Sequence, residues 1–100
     1  MNKKMTVRIV CINKSSGYHE NPHEAISHYG WKNESTGESG KSDRQTMVDW
    51  IKQRNYAYVL DQFGQKVYCS VRVSVNGTEF LQTESDNKLT NNLLSLVECI

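Results

Sequence analysis

The apolar residues of the chain occur in short runs, and four of these runs have the composition or the two-residue period of β-strands. The clearest is 66–75, KVYCSVRVSV, in which valines and one cysteine alternate with other residues. The runs 5–13, 56–60 and 78–84 are also rich in β-branched and aromatic residues. Because alternate side chains of a strand point to the same face, these runs predict four strands that bury at least one face.

The segment 21–30 predicts a short helix. Asn21 is a suitable N-cap, Pro22 suits the first helical turn, and Glu24 stands three residues after the cap, as in a capping box. Apolar residues follow at spacings of three and four, and Gly30 is a typical C-terminal stop.

A second helix is predicted to begin after Ser42 and to end near Asn55. Ser42 is the expected N-cap, and Gln45 stands three positions on. The preceding segment 32–42 is rich in Gly, Ser, Asn and Glu and has no period, so a surface loop is expected there.

Asn76 and Gly77 predict a two-residue hairpin turn, since both central residues of a type I′ turn need positive φ. That turn sets Val73 opposite Phe80. It therefore places Phe80 on the valine face of the hairpin and Leu81 on the opposite face.

The tail NNLLSLVECI carries too many apolar residues to remain in water, so it is expected to dock on the core. The order of elements predicts a single α+β domain over residues 1–100. Its expected architecture is a mostly antiparallel four-stranded sheet with two helices packed on one face and a docked apolar C-terminal tail.

Charge and composition narrow the classes of function. The chain has 12 basic and 11 acidic residues, a net charge of +1, which makes nucleic acid an unlikely partner. No apolar run is long enough to cross a membrane, and no signal peptide is visible. Cys11, Cys69 and Cys99 form no C-x-x-C pair and are odd in number, so three reduced thiols and a cytoplasmic location are expected.

Residues 19–23 match the zinc motif H-E-x-x-H, but no metal site is expected. Both histidines must lie on one helical face to bind one zinc ion, and Pro22 places His19 outside the helix. The sequence GESGKS at 37–42 is one residue short of a phosphate-binding loop, so neither a nucleotide nor another cofactor is expected. No residue is assigned a catalytic role.

Polar and aromatic side chains near the first helix and before the tail are candidates for binding. They are His23, Glu24, Trp31, Asp86, Asn91 and Asn92. In one interpretation His23, Trp31, Asn91 and Asn92 converge on one exposed surface that contacts a partner. In the other, these residues form caps and turns or pack at the ends of elements.

Several motifs resemble those of small bacterial and phage proteins of the domain of unknown function 3892 family. They are CINK at 11–14, NPHEAI at 21–26, a glycine followed by Trp31, and above all FLQTESDNKLTNNLLSLVEC at 80–99. The chain departs from the family where it has Val97 instead of proline, Tyr29 before Gly30 instead of Gly-Gly, and Asn87 after Asp86 instead of glycine. The family has no assigned activity, so the resemblance implies no catalytic residues.

The sequence therefore favours a small non-enzymatic binding or regulatory module that acts through protein contact, with phage counter-defence as one setting. A small-molecule or nucleotide-binding protein, in which an enzymatic role is open, is the alternative. A nucleic-acid-binding domain is the third hypothesis. The expected partner is another protein, and a homodimer through an edge strand is also open.

Overall fold

Strands, rather than helices, make up most of the regular secondary structure among the described residues. The computed structural model describes residues 5–15, 22–85, 88–90 and 92–99. In chain order the elements are β1 (Thr6–Lys14), a short 3-10 helix (Pro22–Ala25), β2 (Ile26–Lys32), β3 (Ser39–Asp43), α1 (Arg44–Lys52), β4 (Tyr56–Leu60), β5 (Lys66–Val73), β6 (Glu79–Ser85) and β7 (Lys88–Thr90). The strands form one seven-stranded sheet in the order β3-β2-β1-β4-β5-β6-β7.

The predicted fold, a four-stranded mostly antiparallel sheet with two helices, is therefore wrong. The sheet is mixed, because β1 and β4 pair in parallel while the other neighbours pair antiparallel. Parallel neighbours need a long crossover connection. Here that connection contains β2, β3 and α1.

The first predicted helix is wrong beyond its first turn. Only Pro22–Ala25 is helical, and the chain then extends as β2 against β1. Ile26, Tyr29 and Trp31 are β-branched or aromatic, and these residue types favour strands over helices. The apolar spacing of three that suggested a helix has another cause. A register shift beside Ser27 allows Ile26 and Tyr29 both to be fully buried.

The predicted loop at 32–42 is a short turn followed by a strand. The side-chain oxygen of Asn33 accepts hydrogen bonds from the backbone N–H groups of Ser35 (3.0 Å) and Thr36 (3.3 Å). The backbone N–H of Asn33 donates to the carbonyl of Glu38 at 2.7 Å. These bonds turn the chain back, so that β3 pairs with β2.

The second helix is confirmed as α1, but its predicted N-cap is wrong. Ser42 belongs to β3, and Asp43 is the N-cap residue. The carboxylate of Asp43 accepts a hydrogen bond from the backbone N–H of Thr46 at 2.7 Å. The hydrogen bond lowers the pKa of the Asp43 carboxyl. The C-cap is Gln53, two residues before the expected end.

The β5–β6 hairpin has a three-residue loop, so the predicted register is wrong by one residue. Ser74 accepts a bond from Gly77 N–H at 2.9 Å and donates its own N–H to Thr78 at 2.9 Å. Only Gly77 of this turn has positive φ, +82°, as in a type I turn followed by a bulge. Val73 thus pairs with Glu79 rather than Phe80. A shift of one residue exchanges the faces of every side chain.

The C-terminal tail docks on β1, and this docking includes a disulfide. Ile12 donates its N–H to the carbonyl of Val97 and accepts from the N–H of Cys99, both at 3.0 Å. Cys99 is bonded to Cys11, so the expectation of three reduced thiols is wrong. At Ile12, β2 pairs with one edge of β1. The tail therefore pairs with the opposite edge, which β4 occupies nearer the start of the strand.

The core lies between α1, the tail and one face of the sheet. Its buried members come from every layer: Val7, Ile9, Ile12, Ile26, Tyr29, Met47, Val48, Ala57, Val59, Val67, Leu81 and Leu93. The tail supplies Leu93, which is fully buried. Burial of such a leucine contributes on the order of 2 kcal/mol, which explains why an apolar tail docks here.

We expect Cys99→Ser to lower the free energy of unfolding by about 2–4 kcal/mol, because the disulfide joins residues that lie 88 positions apart. Urea unfolding of both proteins, with and without reducing agent, measures this. The natural chain should lose the same amount in reducing agent, whereas the variant should not respond. A variant as stable as the oxidised natural chain would contradict the assignment.

A second prediction concerns the loop of the β5–β6 hairpin. Gly77→Ala should cost about 1 kcal/mol, because alanine is strained at positive φ. Asn76→Ala should be nearly neutral, because Asn76 has negative φ in the observed turn. Chemical denaturation compares the pair, and equal losses at both positions would support the two-residue type I′ turn instead.

Candidate functional site

A cavity of about 120 Å³ lies between α1 and the strands β1, β2 and β3. Its lining is mostly apolar and contains two tryptophans and two methionines. The lining residues are Met5, Val7, Trp31, Asn33, Glu38, Ser42, Thr46, Met47 and Trp50.

Trp31 is held in place from β2. It lies opposite Ile9 of β1 and Gly40 of β3, so its side chain projects from the same face of the sheet as the core residue Ile9. Its indole N–H donates a hydrogen bond to the hydroxyl of Ser42 at 3.2 Å. This bond satisfies the polar atom of the indole and leaves its apolar surface facing the cavity.

The opposite wall comes from α1. Trp50 stands four residues after Thr46 and three after Met47, so it lies beside both of them on the helix surface. Met47 is buried and Thr46 is exposed at the rim. The N-cap bond of Asp43 sets where the helix begins, and it therefore sets the position of Thr46 beside the opening.

The rim of the cavity has few polar groups, and some of them already form hydrogen bonds within the protein. Asn33 is 5% exposed and its side-chain oxygen closes the β2–β3 turn. Ser42 accepts from Trp31. Among the lining residues Glu38 carries the single titratable side chain. This chemistry suits an apolar group with one or two polar neighbours, and it supplies no acid–base pair for catalysis.

The structure separates the candidate residues that the sequence singled out. Trp31 lines the cavity. His23 is 3% exposed and its ring stacks on Phe80 with centroids 6.2 Å apart. Glu24 is also buried, and its backbone carbonyl accepts a hydrogen bond from the Arg44 guanidinium at 2.5 Å.

Asn92 lies elsewhere, in a wider groove of about 470 Å³ beside the β4–β5 turn. The groove is lined by Leu60, Asp61, Gln62, Phe63, Val67, Thr90, Asn92 and Ser95, none of which lines the tryptophan cavity. Asp86 and Asn91 lie outside the described residues. His23, Trp31 and Asn92 thus lie in three different surroundings. Because Asn91 is not described, the convergence of His23, Trp31, Asn91 and Asn92 on one surface stays a prediction.

The remaining reactive groups do not suggest an active site. Burial raises the pKa of the Cys69 thiol to about 12, so it stays protonated and weakly nucleophilic at neutral pH. Within the described ranges no three His, Cys, Asp or Glu side chains are grouped as metal ligands. His19 lies outside those ranges, so the absence of zinc stays a prediction. No helix in the described part of the chain is long and apolar enough to cross a membrane.

Sequence reasoning missed most of the cavity. The sequence predicts the helix that carries Met47 and Trp50, but it does not predict that both residues line a cavity. The one available signal was the pair of tryptophans, Trp31 and Trp50, in a chain with no others. Only the pairing of β2 with β1 and β3 brings that pair to the two walls of one cavity.

His23 should make stability depend on pH. Burial lowers its pKa below 6.5, so the unfolded chain takes up a proton before the folded chain does. The stability contribution of neutral His23 is therefore complete above about pH 6.5 and is lost as the pH falls below that value. Urea unfolding between pH 7.5 and pH 5 should show a smaller loss for His23→Gln than for the natural chain. His28→Gln, at an exposed position, is the control for removal of an imidazole. Equal losses in the natural chain and His23→Gln would contradict this account.

A family model described as a protein of unknown function, DUF3892, matches residues 8–97. The match confirms the resemblance seen in the motifs of the sequence. No curated protein and no solved structure matches the chain. The matched residues run from β1 to the docked tail and include both walls of the cavity, so the chain belongs to the DUF3892 family.

Proposed function

We propose that the protein is a small non-enzymatic binding module that holds a partner protein by one apolar side chain. The observation that carries the proposal is the cavity between Trp31 and Trp50. Tryptophans are enriched among the residues that dominate binding energy at protein interfaces, especially where they line well-packed pockets.

The volume of the cavity supports a side chain rather than a metabolite. Pockets for small molecules and cofactors measure about 300–1,000 Å³. An apolar cavity of about 150 Å³ holds one benzene molecule. The cavity here, at about 120 Å³, has room for one leucine, methionine or small aromatic group.

Both walls of the cavity are preformed in the free protein. The Trp31 indole is fixed by its bond to Ser42, and Trp50 packs against the core from α1. A preformed site avoids much of the side-chain ordering that otherwise weakens association. Met5 and Thr46 at the rim are exposed and can contact residues on either side of the inserted group.

From the family resemblance alone, we also propose that the protein is an accessory protein of a bacterium or phage. Counter-defence is one such role. The cytoplasmic location expected from the sequence stays a prediction and is not part of this proposal. The Cys11–Cys99 disulfide argues against a reducing compartment, because most cytosolic proteins keep their thiols reduced.

The small-molecule hypothesis finds its support in the groove at Asn92, whose volume of about 470 Å³ is in the range of ligand pockets. Phe63 is 78% exposed there and offers a ring to a ligand. The homodimer hypothesis has less support. The edge strands β3 and β7 are short and each carries a lysine, Lys41 or Lys88, features that oppose strand pairing between chains.

Thr46→Phe should weaken binding of an apolar side chain, because the new ring occupies the cavity from its rim. The ligand can be selected from a library of displayed peptides against the natural chain, and its affinity measured by calorimetry. We expect at least a tenfold weaker affinity, about 1.4 kcal/mol or more. Thr46→Ser keeps the hydroxyl and leaves the cavity open, so it should bind like the natural chain.

Two results would contradict the proposal. One is a set of selected peptides that share no large apolar residue. The other is unchanged affinity of the selected peptide for Thr46→Phe with an unchanged melting temperature.

A further inference from the structure

The face of the sheet that points away from α1 carries a row of aromatic and charged side chains. In β1, Val7 lines the tryptophan cavity, so the neighbouring Arg8 points to the other face. Arg8 lies directly opposite Lys32 of β2 and Tyr58 of β4. Tyr58 lies opposite Tyr68 of β5. The row therefore crosses four neighbouring strands.

Three tyrosines form a cluster at the centre of this face. The Tyr68 ring lies 6.2 Å from the Tyr56 ring, edge to face, and 5.9 Å from the Tyr58 ring. Tyr56 and Tyr68 are each 45% exposed, whereas Tyr58 is 5% exposed and forms the floor of the cluster. The Tyr56 and Tyr68 rings are thus in contact with each other and partly open to solvent.

Cations surround the cluster. The Lys66 ammonium lies 4.7 Å above the Tyr58 ring. Arg8 lies beside Tyr58 in the row, with Lys32 next to Arg8, and Arg72 lies on the far side of the cluster, where it bonds to Glu84 at 2.5 Å.

Two carboxylates of the described residues lie next to the cluster, and both are bonded. Glu84 pairs with Arg72. Glu34 accepts a hydrogen bond from the Tyr58 hydroxyl, and this bond, together with Arg8, Lys32 and Lys66, lowers the pKa of its carboxyl. Next to the cluster, the described residues Arg8, Lys32, Lys66 and Arg72 outnumber the carboxylates of Glu34 and Glu84, so this part of the face is net positive, although the whole chain carries only +1.

We propose that the exposed rings of Tyr56 and Tyr68, with the cations Arg8, Lys32 and Lys66 around them, form a binding surface for single-stranded nucleic acid. Bases stack on aromatic rings whatever their sequence, and flanking cations follow the phosphates. Such a surface needs no net basic charge over the chain as a whole, which is why composition gave no sign of it.

Two other occupants fit less well. A second copy of this chain would bring like charges together. An acidic peptide would use the cations but would leave the rings without planar partners. Single-stranded nucleic acid uses both features of the face. Because the surface lies opposite the tryptophan cavity, this proposal stands or falls independently of the proposed peptide binding.

The test uses the natural chain and a fluorescently labelled oligothymidine of 12 nucleotides, with fluorescence anisotropy at 50 mM salt. Tyr68→Ala should weaken binding at least about tenfold, in line with the loss of base stacking. The matched control Tyr68→Phe keeps the ring and should bind like the natural chain. Glu34→Gln should tighten binding about twofold or more, because it removes a carboxylate from the face.

The dependence of the binding affinity on salt concentration is a second readout. A loss of folding would not reproduce it. The logarithm of the affinity should fall as the logarithm of the salt concentration rises, by about 0.7 for each phosphate neutralised. Lys66→Gln should reduce that slope by about one such increment. Thr46→Phe, on the other face, should leave both affinity and slope unchanged.

Several results would overturn the proposal. They are no binding of the oligonucleotide at 50 mM salt, equal binding by natural chain and Tyr68→Ala, and equal affinity for a 12-base-pair duplex. Tighter binding of a polyglutamate peptide of the same charge would assign the face to an acidic protein instead. Melting curves of each variant separate loss of binding from loss of fold.

Discussion

The structure depends on β1 being occupied along both edges. β2 pairs with one edge, while the other is shared between β4 near Val7 and the C-terminal tail at Ile12. The Cys11–Cys99 disulfide fixes the tail in this position, and both sulfur atoms lie against Gly30 of β2. A Cβ atom at position 30 would lie 2.1 Å and 2.8 Å from the two sulfurs, so only glycine fits. Strand pairing, disulfide and glycine are thus parts of one arrangement, and the burial of Leu93 follows from it.

That arrangement also separates two surfaces of different chemistry. Alternation along β1 sends Val7 towards the tryptophan cavity and Arg8 towards the tyrosine cluster. The crossover between β1 and β4 contributes to both walls of the cavity, with Trp31 from β2 on one side and α1 on the other. A sheet covered by a helix on one face keeps its second face open to solvent, where exposed aromatic rings can serve a second binding role. The two proposals therefore rest on opposite faces of the same strand.

Much of the secondary structure could be predicted from local pattern, but the topology could not. The strands β1, β4, β5 and β6 follow from β-branched and alternating residues, and α1 follows from the capping pattern at its start, although the N-cap is one residue later than predicted. β2 was hidden because the register shift at Ser27 buries residues three apart, which imitates a helix. β3 is SGKSD, a sequence with no strand propensity that is held by its pairing with β2. For the site, Trp31 could be chosen from sequence, whereas its partners and the disulfide depend on contacts between distant segments.

The most direct test of the account is the pairing of the cysteines in the purified, unreduced protein. Denatured protein should react with one equivalent of an alkylating reagent, at Cys69, and with three after reduction. A digest without reduction should join the peptide that contains Cys11 to the peptide that contains Cys99, as seen by mass spectrometry. Three alkylated cysteines without reduction, or a linkage that involves Cys69, would contradict the position of the tail and with it the way in which β1 is enclosed.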